Sequence, residues 1–153
     1  MKKSAPYVML VCALIGMAIA SYDCYMIYTG QLLWCPPPID GCNTVAYSPD
    51  GRIWGVPIGY FGLFFYAVMF TLAALLAFES SPRGFRLAVL LYTVIGVCGS
   101  IGFIYLDLAF IRAFCIYCLV SAIDTVVLLL SAIGYYRALE GGRKLITSGG
   151  ELQ

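Results

Sequence analysis

Seven cysteines and no histidine define the chemistry that this sequence can support. Zinc sites and most general-base mechanisms depend on imidazole, so the composition favours sulfur redox chemistry, and we predict no metal centre. Four cysteines form two pairs. Cys35 and Cys42 have six residues between them, and Cys115 and Cys118 belong to a Cys-Ile-Tyr-Cys motif. An all-cysteine metal site is the alternative that the composition leaves open.

The second pair stands at the start of an apolar stretch long enough to be a helix. Sulfurs at Cys115 and Cys118 would lie about one helical turn apart, close enough to bridge or exchange. Unpaired N–H groups and the positive end of the helix dipole favour a thiolate at such a position. The thiolate is the form that attacks a disulfide. A disulfide between Cys115 and Cys118 would close only a very small loop, which argues against a purely structural role. We therefore predict a redox-active pair.

The first pair has different surroundings, with Pro36-Pro37-Pro38 after Cys35 and Gly41 before Cys42. A disulfide between these cysteines could staple the loop or shuttle electrons between an outside partner and the second pair, and the sequence leaves both readings open. The remaining cysteines lie in or near apolar stretches and are predicted to be small apolar side chains. They are Cys12, Cys24 and Cys98.

Composition predicts that lipid surrounds most of the chain. Hydrophobic residues make up 62% of the sequence and charged residues 11%, against about 45–50% and about 25% in soluble domains. Four apolar stretches each reach the ~20 residues that cross a bilayer as a helix. They are residues 7–28, 56–78, 85–111 and 113–136. We predict an all-α membrane protein with one domain over residues 1–153, a four-transmembrane-helix bundle in which an outward loop at 29–55 joins helices 1 and 2.

Lysine and arginine give the expected orientation. Seven of them flank one side of the predicted spans, and Arg52 and Arg112 flank the other. The positive-inside rule then puts both termini and the tail at 137–153 in the cytoplasm, and the four paired cysteines at the periplasmic or exterior face of an inner or plasma membrane. Disulfides persist in such a compartment. The seven are Lys2, Lys3, Arg83, Arg86, Arg137, Arg143 and Lys144.

Two features of the spans bear on how the helices begin and pack. The first stretch continues beyond the small-residue site at Ala18-Ile-Ala20, so we expect a retained span instead of a cleaved signal peptide. Pro57 is expected as the first helical residue of the second span. Small residues four apart predict close approach of membrane helices. The pairs are Gly16 and Ala20, Gly55 and Gly59, and Gly96 and Ser100.

A combination of short motifs resembles the vitamin K epoxide reductase family over about residues 7 to 136. The Gly55-Val-Pro57 segment is similar to the prokaryotic members, which oxidise protein thiols with a quinone. The motifs are Cys35, Cys42, Ser48, Gly55-Val-Pro57, Tyr60-Phe-Gly-Leu-Phe-Phe-Tyr66 and Phe114-Cys-Ile-Tyr-Cys118. The resemblance implies a quinone-linked thiol oxidoreductase that supports disulfide bond formation.

The resemblance also implies an order of electron transfer. Cys35 would exchange first with a reduced thioredoxin-like protein, Cys42 would relay to Cys115, and Cys118 would lie next to the quinone. The quinone would be of the menaquinone, ubiquinone or phylloquinone type. Because the chain ends at Gln153 without a fused thioredoxin-like domain, that partner is expected to be a separate protein. The side chains expected around the quinone are Ser48, Phe61, Phe65 and Phe114; for Phe61 and Phe65, ordinary packing between spans is the alternative.

Other function classes remain open at this stage. The same cysteines could serve a vitamin K quinone or epoxide reductase, but Ile58 and Ala122 replace the pocket asparagine and tyrosine of animal members, which favours thiol oxidation. A non-enzymatic cysteine metal carrier or scaffold is the other alternative. No basic run of nucleic-acid type occurs, so the expected partners besides protein are lipid and quinone.

Three aspartates lie in or near the spans. Asp124, about two turns into the fourth span, is expected either to hydrogen-bond within the bundle or to handle protons for the quinone. Asp23 and Asp107 are expected to be solvated or paired, with Arg112 as a partner for Asp107.

Overall fold

Four long apolar helices form the framework of the protein. The computed structural model describes residues 4–36, 41–78 and 82–149; Lys2, Lys3, Pro37, Pro38 and the last four residues of the predicted tail lie outside this range. The helices are α1 (Ala5–Thr29), α3 (Ile58–Phe78), α4 (Arg83–Leu106) and α5 (Ile116–Gly149). Each contains a stretch long and apolar enough to cross a membrane, which confirms the predicted all-α, four-span fold class.

The ends of the helices follow local backbone chemistry. Pro6 lies in the first turn of α1, where its missing N–H costs no hydrogen bond. Gly30 ends that helix in the left-handed conformation (φ 68°) and donates its N–H to carbonyls of the last turn. At the start of α3, helical structure begins at Ile58, one residue later than expected, because Pro57 pairs with Arg52 in a short strand.

The segment between α1 and α3 is more ordered than a plain loop. It contains a short helix, α2 (Cys42–Tyr47), a 3₁₀ turn (Pro49–Gly51), and a hairpin of β1 (Arg52–Ile53) and β2 (Val56–Pro57). Both residues of the hairpin turn have positive φ, 52° at Trp54 and 82° at Gly55. This is the twist that a two-residue turn needs to join antiparallel strands. Gly55 therefore serves the turn and does not form a helix-packing pair with Gly59.

Helix α4 does not end as a regular α-helix. Its last turn, Asp107–Ile111, is π-helical, and Arg112 then takes the left-handed conformation (φ 54°). The N–H of Ala113 donates to the carbonyl of Asp107 at 3.2 Å, which closes the turn. One extra residue per turn re-aims the side chains at the end of the helix, and such turns are frequent at functional sites.

The core of the bundle lies where α1 packs against α3 and α5, and α4 against α5. Small residues of α1 allow the close approach to α3: a Cβ on Gly16 would overlap the Tyr66 ring, and a Cβ on Gly62 would touch Ala20. Buried residues of α1, α3, α4 and α5 form one cluster around this contact. The packing brings the α1–α2 connection, the end of α4 and the start of α5 together at one end of the bundle.

Candidate functional site

Both predicted cysteine pairs lie at this end of the bundle, which we call the cysteine end. Cys35 and Cys42 form a disulfide with their Cα atoms 6.3 Å apart. Cys42 is 1% exposed and Cys115 is 7% exposed, and the two belong to one buried cluster with Leu33 and Val45. Cys118 packs against the same cluster. The fold thus brings together two pairs that are more than 70 residues apart in sequence.

A glycine makes this close approach sterically feasible. Gly41, directly before Cys42, lies so near the backbone of Phe114 that a Cβ at this position would overlap the Phe114 N and O atoms. Phe114 directly precedes Cys115, so the contact sets the two cysteine-bearing segments side by side. Any side chain at Gly41 would push them apart.

Two side chains tie the segment before Cys35 to its surroundings. The amide of Asn43 accepts the Leu33 N–H at 2.7 Å and donates to the Leu33 carbonyl at 3.1 Å. The hydroxyl of Tyr117 donates to the carbonyl of Trp34 at 2.6 Å. One anchor is next to Cys42 in sequence and the other lies between Cys115 and Cys118, so the loop disulfide is held against the second pair.

The Cys-Ile-Tyr-Cys motif forms the N-terminal cap of α5. Cys115 precedes the first helical residue, and its carbonyl accepts the Leu119 N–H at 3.1 Å. Its sulfur accepts the Cys118 N–H at 3.4 Å, as an N-cap side chain accepts the third N–H of a helix. The helix begins at Ile116, three residues after the predicted start of the span, because Ala113 and Phe114 still belong to the turn.

This cap favours a thiolate at Cys115. A hydrogen bond from the Cys118 thiol is the largest effect and lowers the pKa of the Cys115 thiol below its ordinary value. Burial and the nearby Asp107 charge act in the opposite direction, while N–H groups of Cys118 and Tyr117 reinforce the lowering. The helix end thus contributes through two backbone N–H groups, but the neighbouring thiol contributes more to the lowered pKa of Cys115.

A pH profile of alkylation tests this thiolate. In the reduced protein, alkylation of Cys115 should rise with pH through a midpoint below that of an ordinary cysteine, because a lowered pKa leaves more thiolate at each lower pH. Cys118→Ala removes the main donor and should move the midpoint upward. Mass spectrometry of the Cys115 peptide gives the rate at each pH. An unchanged midpoint in Cys118→Ala would contradict the assignment, and Cys98→Ala, on the exposed face of α4, is the control.

A cavity opens beside the cysteines. Its volume is about 100 Å³, counted as the space that the centre of a water molecule can occupy, against roughly 10–15 Å³ for a single-water site. Cys42, Cys115 and Cys118 line it, together with the carboxyl-bearing Asp23 and Asp107. Most of the remaining wall is apolar. It includes Ile19, Ile27, Val45, Pro57, Ile58 and Phe103, with the Ser121 hydroxyl as a polar contribution from α5. Apolar walls with a few convergent polar groups suit a flat ring that carries oxygen atoms.

The other predicted site residues have varied positions. Phe114 lines a second, smaller cavity that also contains Cys115 and Cys118. Phe65 stacks on Tyr92 with ring centroids 5.0 Å apart, a packing contact between α3 and α4. Phe61 is exposed on α3, and Ser48 ends α2 by donating its N–H to a carbonyl of that helix. Among the described residues that line the larger cavity, Ser48, Phe61 and Phe65 are absent.

Two buried aspartates differ in what surrounds them. Asp107 is 4% exposed, and within the described residues no ion pair joins it to Arg112, so the expectation of a solvated or paired carboxyl is wrong. It is the first residue of the π-helical turn and lines the smaller cavity together with Cys118. Asp124 lies deeper in the bundle, where its carboxyl interacts with the Cys12 thiol and the Tyr66 hydroxyl. Its role, hydrogen bonding within the bundle or proton handling, stays a prediction.

Sequence reasoning missed Asn43, Tyr117 and the buried position of Asp107. Tyr117 had a signal, since it stands between the two cysteines of the motif, and Asn43 directly follows Cys42. Nothing in the sequence indicated the π-helical turn or the burial of Asp107.

Comparison with known proteins agrees with this arrangement. A search of curated proteins gives no match. A sequence model described as "Vitamin K epoxide reductase family" matches residues 7–133. The matched range contains both cysteine pairs and most of the apolar stretch of each of the four long helices. Members of this family are membrane oxidoreductases that link thiols to quinones. With most of its length matched and both cysteine pairs within the match, the chain belongs to the vitamin K epoxide reductase family.

Proposed function

We propose that the protein is a thiol:quinone oxidoreductase that supports disulfide bond formation. Cys35 and Cys42 accept electrons from a reduced thioredoxin-like protein, and Cys115 and Cys118 pass them to a quinone. The observation that carries the proposal is that Cys42, Cys115 and Cys118 all line one cavity. Quinone use is general in the family, whereas the thiol partner and the direction of transfer are specific to the proposal.

The exposure of the sulfurs supports an order. Cys35 is half-buried, and Cys42 is almost fully buried against the second pair, so a thiol from outside reaches Cys35 first. The partner's thiolate attacks the Cys35 sulfur, and Cys42 leaves as a thiolate. The partner's second thiolate then attacks the partner sulfur of this mixed disulfide, which releases the oxidised partner and frees Cys35 as a thiolate. Cys42 then attacks the sulfur of Cys115 in an oxidised Cys115–Cys118 bridge, and Cys118 leaves. Attack by Cys35 on Cys42 restores the loop disulfide and leaves Cys115 and Cys118 reduced.

The second pair completes the cycle at the cavity. Cys115 and Cys118 form their disulfide again and give up two electrons, which a bound quinone accepts. Cys118 and Ser121 line the cavity wall that α5 contributes, and Ile58 and Phe103 provide apolar surface for a ring. Phe114 contacts the same cysteines from the smaller cavity. Ser48, Phe61 and Phe65 stay predictions as quinone contacts.

The proposal includes the orientation and the partner. The seven-to-two asymmetry of basic residues supports cytoplasmic termini and a cysteine end that faces the periplasm or exterior. An oxidising compartment on that side would keep the Cys35–Cys42 disulfide formed between turnovers. A thioredoxin-like protein is the partner whose dithiol chemistry fits the exchange at Cys35.

The protein in lipid nanodiscs provides the test. Reduced thioredoxin-like protein and a short-chain ubiquinone are added, and the quinone absorbance is followed; one quinol should form for each dithiol oxidised. In parallel, a Cys35→Ala, Cys118→Ala variant, which keeps only Cys42 and Cys115 of the four, should form a Cys42–Cys115 disulfide detectable by mass spectrometry. No quinol formation would refute the proposed activity, and no such disulfide would refute the relay.

A further inference from the structure

A buried carboxyl at the cysteine end has no role in the cycle described so far. Asp107 is 4% exposed, and its Oδ1 atom has no hydrogen-bond partner among the described residues. A carboxyl in an apolar membrane interior is costly, and the position of such a group usually reflects function.

Asp107 lies at the end of α4, beside the two cysteines of the second pair. Asp107 is the first residue of the π-helical turn, and its own carbonyl accepts the Ala113 N–H as the chain reverses towards α5. The larger and the smaller cavity share three residues, which are Asp107, Cys115 and Cys118. Asp107 therefore lines both cavities together with the two cysteines.

The carboxyl also contacts one of the two sulfurs directly. Asp107 lies within interaction distance of the Cys118 thiol, whose single proton can be donated either to this carboxyl or to Cys115. A thiol is the donor in such a pair and a carboxylate is the acceptor. The Cys118 N–H donates to the Cys115 Sγ atom at 3.4 Å, which holds the two cysteines of this pair together. The group is thus placed to accept the Cys118 proton when that sulfur reacts.

We propose that Asp107 is the catalytic acid–base residue of the quinone-linked step, an inference that rests on the proposed function. Oxidation of the second pair breaks two S–H bonds, forms the Cys115–Cys118 bond and releases two electrons and two protons. The electrons reduce the quinone. Asp107 accepts the Cys118 proton and delivers it to one oxygen of the reduced ring. Cys115 loses its proton to water at the open side of the cavity, and the second ring oxygen takes a proton from that water.

Asp124 is the matched comparison for Asp107. Both are buried aspartates in membrane-spanning helices, and both have one carboxyl oxygen without a partner among the described residues. Asp124 contacts Cys12 and Tyr66 and does not belong to the described lining of either cavity. General loss of a buried carboxyl would affect both variants, whereas loss of proton transfer at Cys118 would affect Asp107 alone.

A single-turnover experiment in nanodiscs tests the inference. The reduced protein is mixed with excess short-chain ubiquinone, quenched by acid, and the Cys115–Cys118 disulfide is measured against time. Asp107→Asn should slow this step at least about 100-fold, the lower range for a lost acid–base group. Asp107→Glu should recover at least a tenth of the wild-type rate. Asp124→Asn should stay within about threefold of the wild type.

The same variants carry a folding control and separate the two proposals. In Asp107→Asn the exchange between a reduced dithiol and the Cys35–Cys42 disulfide should keep its wild-type rate, because it precedes the proton transfer. A wild-type protein that does not oxidise its cysteines with quinone overturns the proposed function itself. An active wild type with a comparably fast Asp107→Asn overturns only the role of Asp107. The role of Asp107 is also overturned if Asp107→Glu oxidises its cysteines as slowly as Asp107→Asn, or if Asp124→Asn is as slow as Asp107→Asn.

Discussion

Cys118→Ser is expected to reduce thiol-dependent quinone reduction to the uncatalysed background, a loss of at least about 1,000-fold. Cys118 lines the cavity beside Asp107 and Cys115, and under the proposed function its sulfur joins the cysteine relay to the quinone. A hydroxyl has nearly the same size but cannot form a disulfide or give up electrons at accessible potentials. The measurement is the initial rate of quinol formation with a reduced thioredoxin-like protein as donor.

Two cysteines outside the relay serve as controls for Cys118→Ser. Cys98 is exposed on α4, and Cys12 lies in α1 where it contacts Asp124. Cys98→Ser and Cys12→Ser should keep quinol formation within about threefold of the wild type, since neither sulfur lines the cavity in the described chain. Substantial activity in Cys118→Ser, or its loss in Cys98→Ser, would contradict the assigned sulfur chemistry.

The membrane fold was predictable because lipid imposes few alternatives. In a bilayer the backbone must satisfy its own hydrogen bonds, so apolar stretches of about 20 residues become helices, and α1, α3, α4 and α5 each contain one. The segment between α1 and α3 has no such constraint. Its short helix and the Trp54–Gly55 turn depend on contacts with other parts of the chain, and apart from Gly55 the local sequence does not signal them.

The cysteine end was predictable in its chemistry but not in its geometry. The Cys-x-x-Cys spacing indicated a capped helix, and Cys115 does cap α5. The approach of Cys42 to Cys115, however, depends on the missing side chain of Gly41 against Phe114, which is a tertiary contact. For the aspartates, distance along the span suggested solvent for Asp107. In the structure that side chain is buried and lines both cavities with Cys115 and Cys118, a placement that depends on tertiary packing.

Helix packing within the bundle gives the second large expected effect. Gly16 of α1 faces Tyr66 of α3, and a Cβ at Gly16 would overlap three atoms of the ring. The ring is 1% exposed, and its hydroxyl lies 2.9 Å from the Ser121 hydroxyl, so it cannot move aside without losing a buried hydrogen bond. The spacing of Gly16 and Ala20 predicted that another helix approaches α1 closely there. In the structure that helix is α3, and the side chain that needs the space at Gly16 is Tyr66.

Gly16→Ala is expected to lower the free energy of unfolding by about 1–3 kcal/mol, as overpacking of a filled core does. Helix propensity alone would favour alanine by about 1 kcal/mol, so a net loss means that the steric effect of the ring exceeds it. Gly102→Ala is the control, since Gly102 faces open space on α4 and should change stability by less than about 1 kcal/mol. Unfolding in mixed detergent micelles gives both values.

In a Tyr66→Ala background the cost of Gly16→Ala should vanish, because the colliding ring is gone; a cost that persists would place the strain elsewhere. Since Ser121 also lines the cavity, displacement of Tyr66 in Gly16→Ala should slow quinol formation as well, which links the packing of α1 on α3 to the site.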